Sequence, residues 1–164
     1  MPPAVSNLAT LPNVKTLHDP AAQKEILERL DRVTPESPRL WGRMTASQMI
    51  CHLTDSFRGV LGDFPVSTGP GPLPGPILKF VALRMPIQWP HNVQTRPEVD
   101  QEIRGTRPAE FAADVAALKS TLHRFVSNPQ AIGPRHPIFG PMSEFEWMRW
   151  GYLHMDHHLR QFGN

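Results

Sequence analysis

The sequence predicts an all-α protein, a four-helix bundle whose helices are joined by long Pro/Gly-rich crossover loops. Three observations predict it: apolar residues recur at helical spacing in long segments, capping boxes precede two of these segments, and the 19 prolines collect between them. No alternation typical of strands is sustained. With 164 residues the chain has the size of one domain. We therefore expect a single domain over residues 1–164, with a loose N-terminal arm over residues 1–18.

Charge and cysteine content exclude several classes of function. Seventeen Lys and Arg against fifteen Asp and Glu give a formal charge of +2, and the basic residues are scattered, which argues against a nucleic-acid partner. The single cysteine, Cys51, cannot form an internal disulfide, so a cytoplasmic location is favoured. No segment has the length and apolar character of a membrane span or an export signal, so neither is expected.

Residue patterns predict the first two helices. Asp19 as N-cap and Pro20 at the first helical position open a helix whose apolar spacing extends to Val33. Thr45 and Gln48 form a capping box that opens a second helix, which ends near Gly62. The apolar stripe of the second helix comprises Ala46, Met49, Ile50, Leu53, Phe57 and Val60.

The middle of the chain is a long connection over residues 62–104, which is rich in proline and glycine and cannot sustain a long helix. A short helix is predicted within it, over residues 77–85. A third long helix follows Pro108 and stops at Asn128-Pro129. Long connections in compact domains often shape a functional site, so we expect this one to border the pocket.

The last helix opens at the capping box Ser143–Glu146 and runs almost to the C-terminus. At 100° per residue, one of its faces forms an apolar and aromatic stripe that also contains two histidines. The stripe comprises Trp147, Trp150, Gly151, His154, His158, Gln161 and Phe162. His154 and His158 are therefore expected to point inward.

Two inward imidazoles four residues apart can bind one metal ion, because their Cβ atoms lie only about 5–6 Å apart. The spacing alone arises by chance in a chain with eight histidines. The alternative is a pair of core histidines whose nitrogens are hydrogen-bonded to other residues. The residues of this helix leave both interpretations open.

A third ligand would come from another helix, and His52 is the only histidine of the second helix. Its position about 120° from the centre of that helix's stripe puts it at the border of the core. This placement suits a site in the seam between two helices that opens to solvent. It equally suits a boundary histidine that is hydrogen-bonded to a loop.

Other candidate residues near the histidines have simpler interpretations. His157 lies at the edge of the stripe, where it is either a packed or exposed histidine or a proton shuttle. Asp156 is expected to be solvated on the opposite face. Cys51 and Asp55 point away from His52, and Cys51 is expected to be buried and inert.

Four further residues are candidates for the surroundings of the site. Gln161 follows His158 on the inward face, where it orients a ligand or satisfies a buried polar group. His136 precedes the last helix and could reach the mouth of the pocket. Trp89 and His91 could contribute from the long connection.

Three segments together resemble the DinB-like metal-binding superfamily. They are Leu-Trp-Gly-Arg-Met-Thr-Ala-Ser-Gln-Met-Ile-Cys-His-Leu at 40–53, His-Pro-Ile-Phe-Gly-Pro at 136–141 and His-Met-Asp-His-His-Leu-Arg-Gln-Phe at 154–162. The specific signal is Trp-Gly, then a capped helix with His, then a C-terminal His-x-x-x-His with a His-x-x-Gln-Phe ending. The chain is most similar to a branch of that superfamily with no assigned reaction.

The resemblance implies a four-helix bundle in which His52, His154 and His158 bind a divalent metal, with nickel or zinc favoured and iron or manganese as further candidates. It also implies a homodimer, and in some branches a thiol-dependent transferase or isomerase that uses low-molecular-weight thiols. Three histidines leave coordination positions open, as in catalytic sites. We therefore expect a metal-dependent hydrolase or thiol transferase acting on a small molecule, with a non-catalytic metal- or ligand-binding protein as the alternative.

Overall fold

The computed structural model describes residues 14–164. This part of the chain contains five α-helices and almost no strand, which confirms the all-α prediction. The helices are α1 (Pro20–Leu30), α2 (Ala46–Val60), α3 (Gly75–Arg84), α4 (Phe111–Ser127) and α5 (Glu144–Gln161). Two 3₁₀ turns (Pro97–Val99 and Pro129–Ala131) and an antiparallel pair of two-residue strands, β1 (Arg135–His136) and β2 (Gly140–Pro141), complete it.

The predicted caps are present at the helices that carry the histidines. The Thr45 hydroxyl accepts a hydrogen bond from the Gln48 amide while the Gln48 side chain accepts one from the Thr45 amide, at the start of α2. Ser143 and Glu146 form the same reciprocal pair at the start of α5. Each box satisfies backbone donors that a helix start leaves free, so it fixes where the helix begins.

The helices pack in pairs, with α2 against α4 and α1 against α5, while α2 and α5 also meet. Their common core is aromatic at its centre, where the ring of Phe57 lies 4.9 Å from Phe125 and 5.4 Å from Trp150. Both contacts are edge-to-face, the arrangement that aromatic quadrupoles favour. This cluster lies next to the α2–α5 seam and holds the two helices in register.

The N-terminal side of the bundle differs from the prediction of a loose arm over residues 1–18. Residues 1–13 lie outside the described residues, but Leu17 is completely buried and its amide donates to the Met148 carbonyl (3.1 Å). A Cβ added at Gly151 would lie 2.7 Å from the Leu17 side chain, so the glycine makes room for this leucine. The prediction is therefore wrong at Leu17, which belongs to the core.

Two helix boundaries differ slightly from the predicted ones. α1 ends at Leu30 rather than Val33, because the Arg32 and Val33 amides close tight turns onto the Arg29 and Leu30 carbonyls. Val33 is nevertheless buried. The short helix α3 starts two residues before its predicted start and packs on α5.

The long connection folds back onto the bundle. The Trp89 indole N–H donates to the Ala82 carbonyl (2.9 Å), which ties the segment after α3 to that helix. Ile77 and Phe80 on the outer face of α3 are more than half exposed. No helix in residues 14–164 combines the length and apolar character that a membrane crossing needs.

Candidate metal centre

Three histidines from two helices converge in the α2–α5 seam. His52 of α2 and His154 and His158 of α5 each offer a ring nitrogen, and these three nitrogens lie within 4.8 Å of one another. Nε2 of His52 is 3.3 Å from Nε2 of His154. The four-residue spacing on α5 and the seam position of His52 thus bring together the residues that the sequence singled out.

His52 is held by the chain segment that follows the long connection. Its Nδ1 donates to the carbonyl of Val99 (2.8 Å), which leaves the lone pair of Nε2 directed at the other histidines. His52 is only 5% exposed, not at the border of the core as its helical angle suggested. The 3₁₀ turn Pro97–Val99 covers the side of α2 that the helical stripe leaves open.

A buried carboxylate fixes the segment that carries Val99. Asp55 accepts hydrogen bonds from the Thr106 amide (2.7 Å), the Thr106 hydroxyl (2.8 Å) and the Gln101 amide group (3.1 Å). Asp100, which directly follows Val99, pairs with Arg43. Asp55 therefore takes no part in the histidine cluster and instead anchors the loop that orients His52. The sequence did not reveal this role.

His158 is oriented by the C-terminal turn of its own helix. Its Nδ1 donates to Oε1 of Gln161 (2.9 Å), and Nε2 of Gln161 donates to the carbonyl of Trp41 (3.0 Å). Gly42 follows Trp41 at φ +76°, and a Cβ there would lie 2.7 Å from Nε2 of Gln161. The Trp41-Gly42 dipeptide therefore contacts Gln161 in two ways: the Trp41 carbonyl accepts its hydrogen bond, and the absence of a side chain at Gly42 leaves room for its amide group.

His154 lacks such a partner. Its Nδ1 is buried and has no hydrogen-bond partner among residues 14–164. If Nε2 donates to His52, a bare Nδ1 lone pair is buried without compensation, which is costly. If Nδ1 carries the proton, two Nε2 lone pairs face each other at 3.3 Å. A cation between the rings removes that repulsion.

Burial lowers the pKa of all three histidines. Desolvation is the main cause for His52, His154 and His158, and neighbouring histidines lower the pKa of His154 and His158 further. The rings are therefore neutral at physiological pH, the form that binds metal. Two nitrogens at Zn–N distances of about 2.0–2.1 Å in tetrahedral geometry are about 3.3 Å apart. The residues present thus fit a divalent ion.

Aromatic side chains from the connections surround one side of the cluster. Trp41 and His91 stack with ring centroids 3.8 Å apart, and the Trp89 ring lies 6.1 Å from His154. His157 lies 5.1 Å from His158 but is not one of the three converging residues, and burial lowers its pKa to about 4. The long connection borders the site, as its composition predicted.

Two remaining predicted residues lie elsewhere. Cys51 is buried, and desolvation raises its pKa to about 12, so the expectation of an inert thiol holds. Asp156 is not solvated as predicted: it pairs with Arg29 of α1 (2.8 Å) and with Arg160 (2.9 Å), because α1 packs against this side of α5.

His136 lies behind the site rather than at its mouth. Its Nδ1 accepts hydrogen bonds from the amides of Ile138 (3.1 Å) and Phe139 (3.2 Å). Its ring packs 5.6 Å from Trp150, which itself lies 4.9 Å from His154. Burial lowers the pKa of His136 to about 3, so it stays neutral.

The fold and the site together define an all-helical domain with a buried group of three histidines that could hold a metal ion. A comparison with known families assigns the chain to a family. The chain belongs to the DinB superfamily, whose family model matches residues 19–162. Searches of curated proteins and of solved structures found no significant match.

Proposed function

We propose that this protein binds one divalent metal ion through Nε2 of His52, His154 and His158. The observation that carries the proposal is the convergence of three neutral imidazoles within 4.8 Å. Two of them are already oriented through Nδ1, by Val99 and Gln161. Outer hydrogen bonds of this kind fix the tautomer that presents Nε2 to a metal. Nickel and zinc suit an all-imidazole donor set best, with iron and manganese as alternatives.

We further propose that the site is catalytic, as a hydrolase or a thiol transferase acting on a small molecule. When bound, a divalent metal supplies Lewis-acid activation of a water or a thiol at neutral pH. Within this chain, the histidines hold that ion, and Trp41, Trp89 and His91 limit the access of water from one side. Three protein donors leave positions for a substrate.

Among the described residues, the histidine group contains no carboxylate, and this favours thiol transfer over hydrolysis. Hydrolysis commonly needs a general base within hydrogen-bond reach. In the described residues no carboxylate joins the histidine group, since Asp55 is bound to Thr106 and Asp156 to two arginines. A thiol that binds the metal loses its proton outright, whereas metal-bound water is only partly ionised at neutral pH, so thiol transfer depends less on such a base. The proposed cytoplasmic location supplies low-molecular-weight thiols.

Metal binding is the first test. Purified protein stripped with a chelator is titrated with nickel, zinc, manganese or iron by calorimetry, and bound metal is counted by elemental analysis. One ion per chain is expected, and its loss in His154→Ala. His123→Ala is the matched control, because His123 is exposed on α4. Failure of every metal to bind stoichiometrically would overturn the proposal.

The same missing carboxylate supports the second candidate, a non-catalytic metal- or ligand-binding protein. Metal-loaded protein is assayed with panels of thiol acceptors and activated esters. Turnover that disappears in His154→Ala supports the enzyme. No turnover, together with a large fall in melting temperature on chelation, supports a binding role instead.

We also propose a homodimer, with the outer face of α3 as the candidate contact. Ile77 and Phe80 expose 53% and 59% of their surface there, and their spacing of three residues puts them side by side on the helix as one apolar patch. Light scattering of the wild type and of Phe80→Asp distinguishes a dimer from a monomer, and a monomeric wild type contradicts the proposal.

A further inference from the structure

A cleft of about 380 Å³ lies at the far end of α2, away from the histidines. It is bounded by the end of α2, by the chain just after that helix and by the segment around β1. Its lining includes Gly59, Val60, Gly62, Phe64, Val66 and Arg135. Its volume falls in the range of about 300–1,000 Å³ that is typical of small-molecule sites.

The cleft has an apolar wall and one charged lining residue. Val60, Phe64 and Val66 supply the apolar surface, while Arg135 is the only ionisable residue among those that line it. In residues 14–164 no carboxylate lies within salt-bridge distance of Arg135 and no carbonyl accepts from its guanidinium. Arg135 is exposed at the edge of a cleft with one apolar wall, and its guanidinium, unpaired within residues 14–164, suits the planar, bidentate geometry of a carboxylate.

The surrounding charges favour an anion as well. Asp63, next to Gly62, is already paired with Arg58 (3.2 Å) and with Arg124, and these arginines lower its pKa. Its negative charge is therefore compensated by two cations. Arg135 adds a positive charge that no acidic group in the described part of the chain offsets.

The cleft is separate from the histidine cluster. Gly59 lies seven residues after His52 on α2, which corresponds to about 10 Å along the helix axis. On β1, successive side chains point to opposite sides, so Arg135 borders the cleft while the ring of His136 packs against Trp150. Trp150 in turn contacts His154, so two aromatic layers stand between the sites.

We propose that this cleft binds a small molecule with an apolar body and one carboxylate, and that Arg135 holds the carboxylate. The site does not depend on the metal, since none of its lining residues belongs to the histidine group. Binding is therefore the same in the metal-free and the metal-loaded protein.

Octanoate serves as the probe, with 1-octanol as the uncharged control, and both are titrated into the full chain by calorimetry with and without zinc. Octanoate is expected to bind, about tenfold more weakly to Arg135→Gln. Arg107→Gln, which removes the same charge from an exposed site without a salt bridge, should bind octanoate as the wild type does.

Amide NMR shifts give the second measurement and locate the probe. Octanoate should shift the amides of Gly59, Gly62 and Gly133, which line the cleft, and leave those of α1 unchanged. Equal affinity for octanoate and octanol, or unchanged affinity in Arg135→Gln, overturns the role of Arg135. No shift at the three glycines at millimolar octanoate overturns the site itself.

Discussion

Gln161 accepts a hydrogen bond from Nδ1 of His158 and donates one to the carbonyl of Trp41. One amide group therefore connects a proposed metal ligand with the loop before α2. Because the amide oxygen can only accept, His158 must carry its proton on Nδ1 and present Nε2 to the cluster.

Replacing Gln161 by methionine should weaken metal binding about 10- to 100-fold, because His158 loses the partner that fixes its ring. The measurement is competition with a chelator of known affinity. Gln130→Met is the control, since Gln130 is exposed. Unchanged metal affinity in Gln161→Met would show that Gln161 has only a packing role.

Gly42→Ala should destabilise the protein by about 1–3 kcal/mol, through its backbone conformation at φ +76° and through the contact with Gln161. Gly62→Ala is the matched control, because φ is +83° but no atom lies within 4 Å of the added Cβ. It should cost about 1 kcal/mol from the backbone alone. Urea unfolding measures both changes.

The two glycine variants should differ more clearly in metal affinity. Gly42→Ala displaces Gln161 and should lower the affinity, whereas Gly62→Ala should leave it unchanged. Equal metal affinity in the two variants would contradict the coupling of Gly42 to His158.

Asp55→Ala should lower the free energy of unfolding by about 2 kcal/mol or more, because the buried Gln101 amide group and the amide and hydroxyl of Thr106 lose their acceptor. Asp31→Asn removes an exposed pair with Lys119 and should cost at most about 1 kcal/mol. Chemical denaturation at neutral pH compares them. A loss for Asp55→Ala no larger than that for Asp31→Asn would refute the anchoring role.

Stability of the metal-free protein should fall as the pH drops below about 6.5. In the folded chain burial lowers the pKa of His136 to about 3, so the unfolded chain binds a proton that the folded chain does not. The contribution of His136 to stability thus rises with pH between about 3 and 6.5 and is constant above that window. Burial also lowers the pKa values of His52, His154 and His158, so these residues change the stability in the same direction.

Denaturant unfolding at pH 7.5, 6, 5 and 4 measures this dependence. His136→Asn should give a shallower slope than the wild type, because one of the contributing groups no longer titrates. Stability that is independent of pH in this window would contradict the neutral, buried state of these histidines.

The sequence predicted the helices of the site well because their signals are local. Capping boxes at Thr45 and Ser143 place the starts of α2 and α5, and a four-residue spacing puts His154 and His158 on one face. The burial of His52 was not predictable in the same way. The angular position of His52 takes account only of residues within α2, whereas the turn at Val99 that covers His52 lies 47 residues further along the chain.

The same limit applies to Asp156 and Gln161. Asp156 lies opposite the apolar stripe of α5, but α1 brings Arg29 to that side from 127 residues away. The inward position of Gln161 was predictable, whereas its partner at Trp41 lies 120 residues earlier. Side-chain spacing within a helix predicts which face is buried, and packing between distant segments decides which polar groups meet there.

Leu17 fills the space that Gly151 leaves open, one helical turn before His154. The range that the family model matches starts at residue 19. A chain cut at Asp19 would retain every matched residue yet lose the leucine that packs beneath the turn carrying His154. The hydrophobic core of this protein therefore includes a residue that lies outside the matched range.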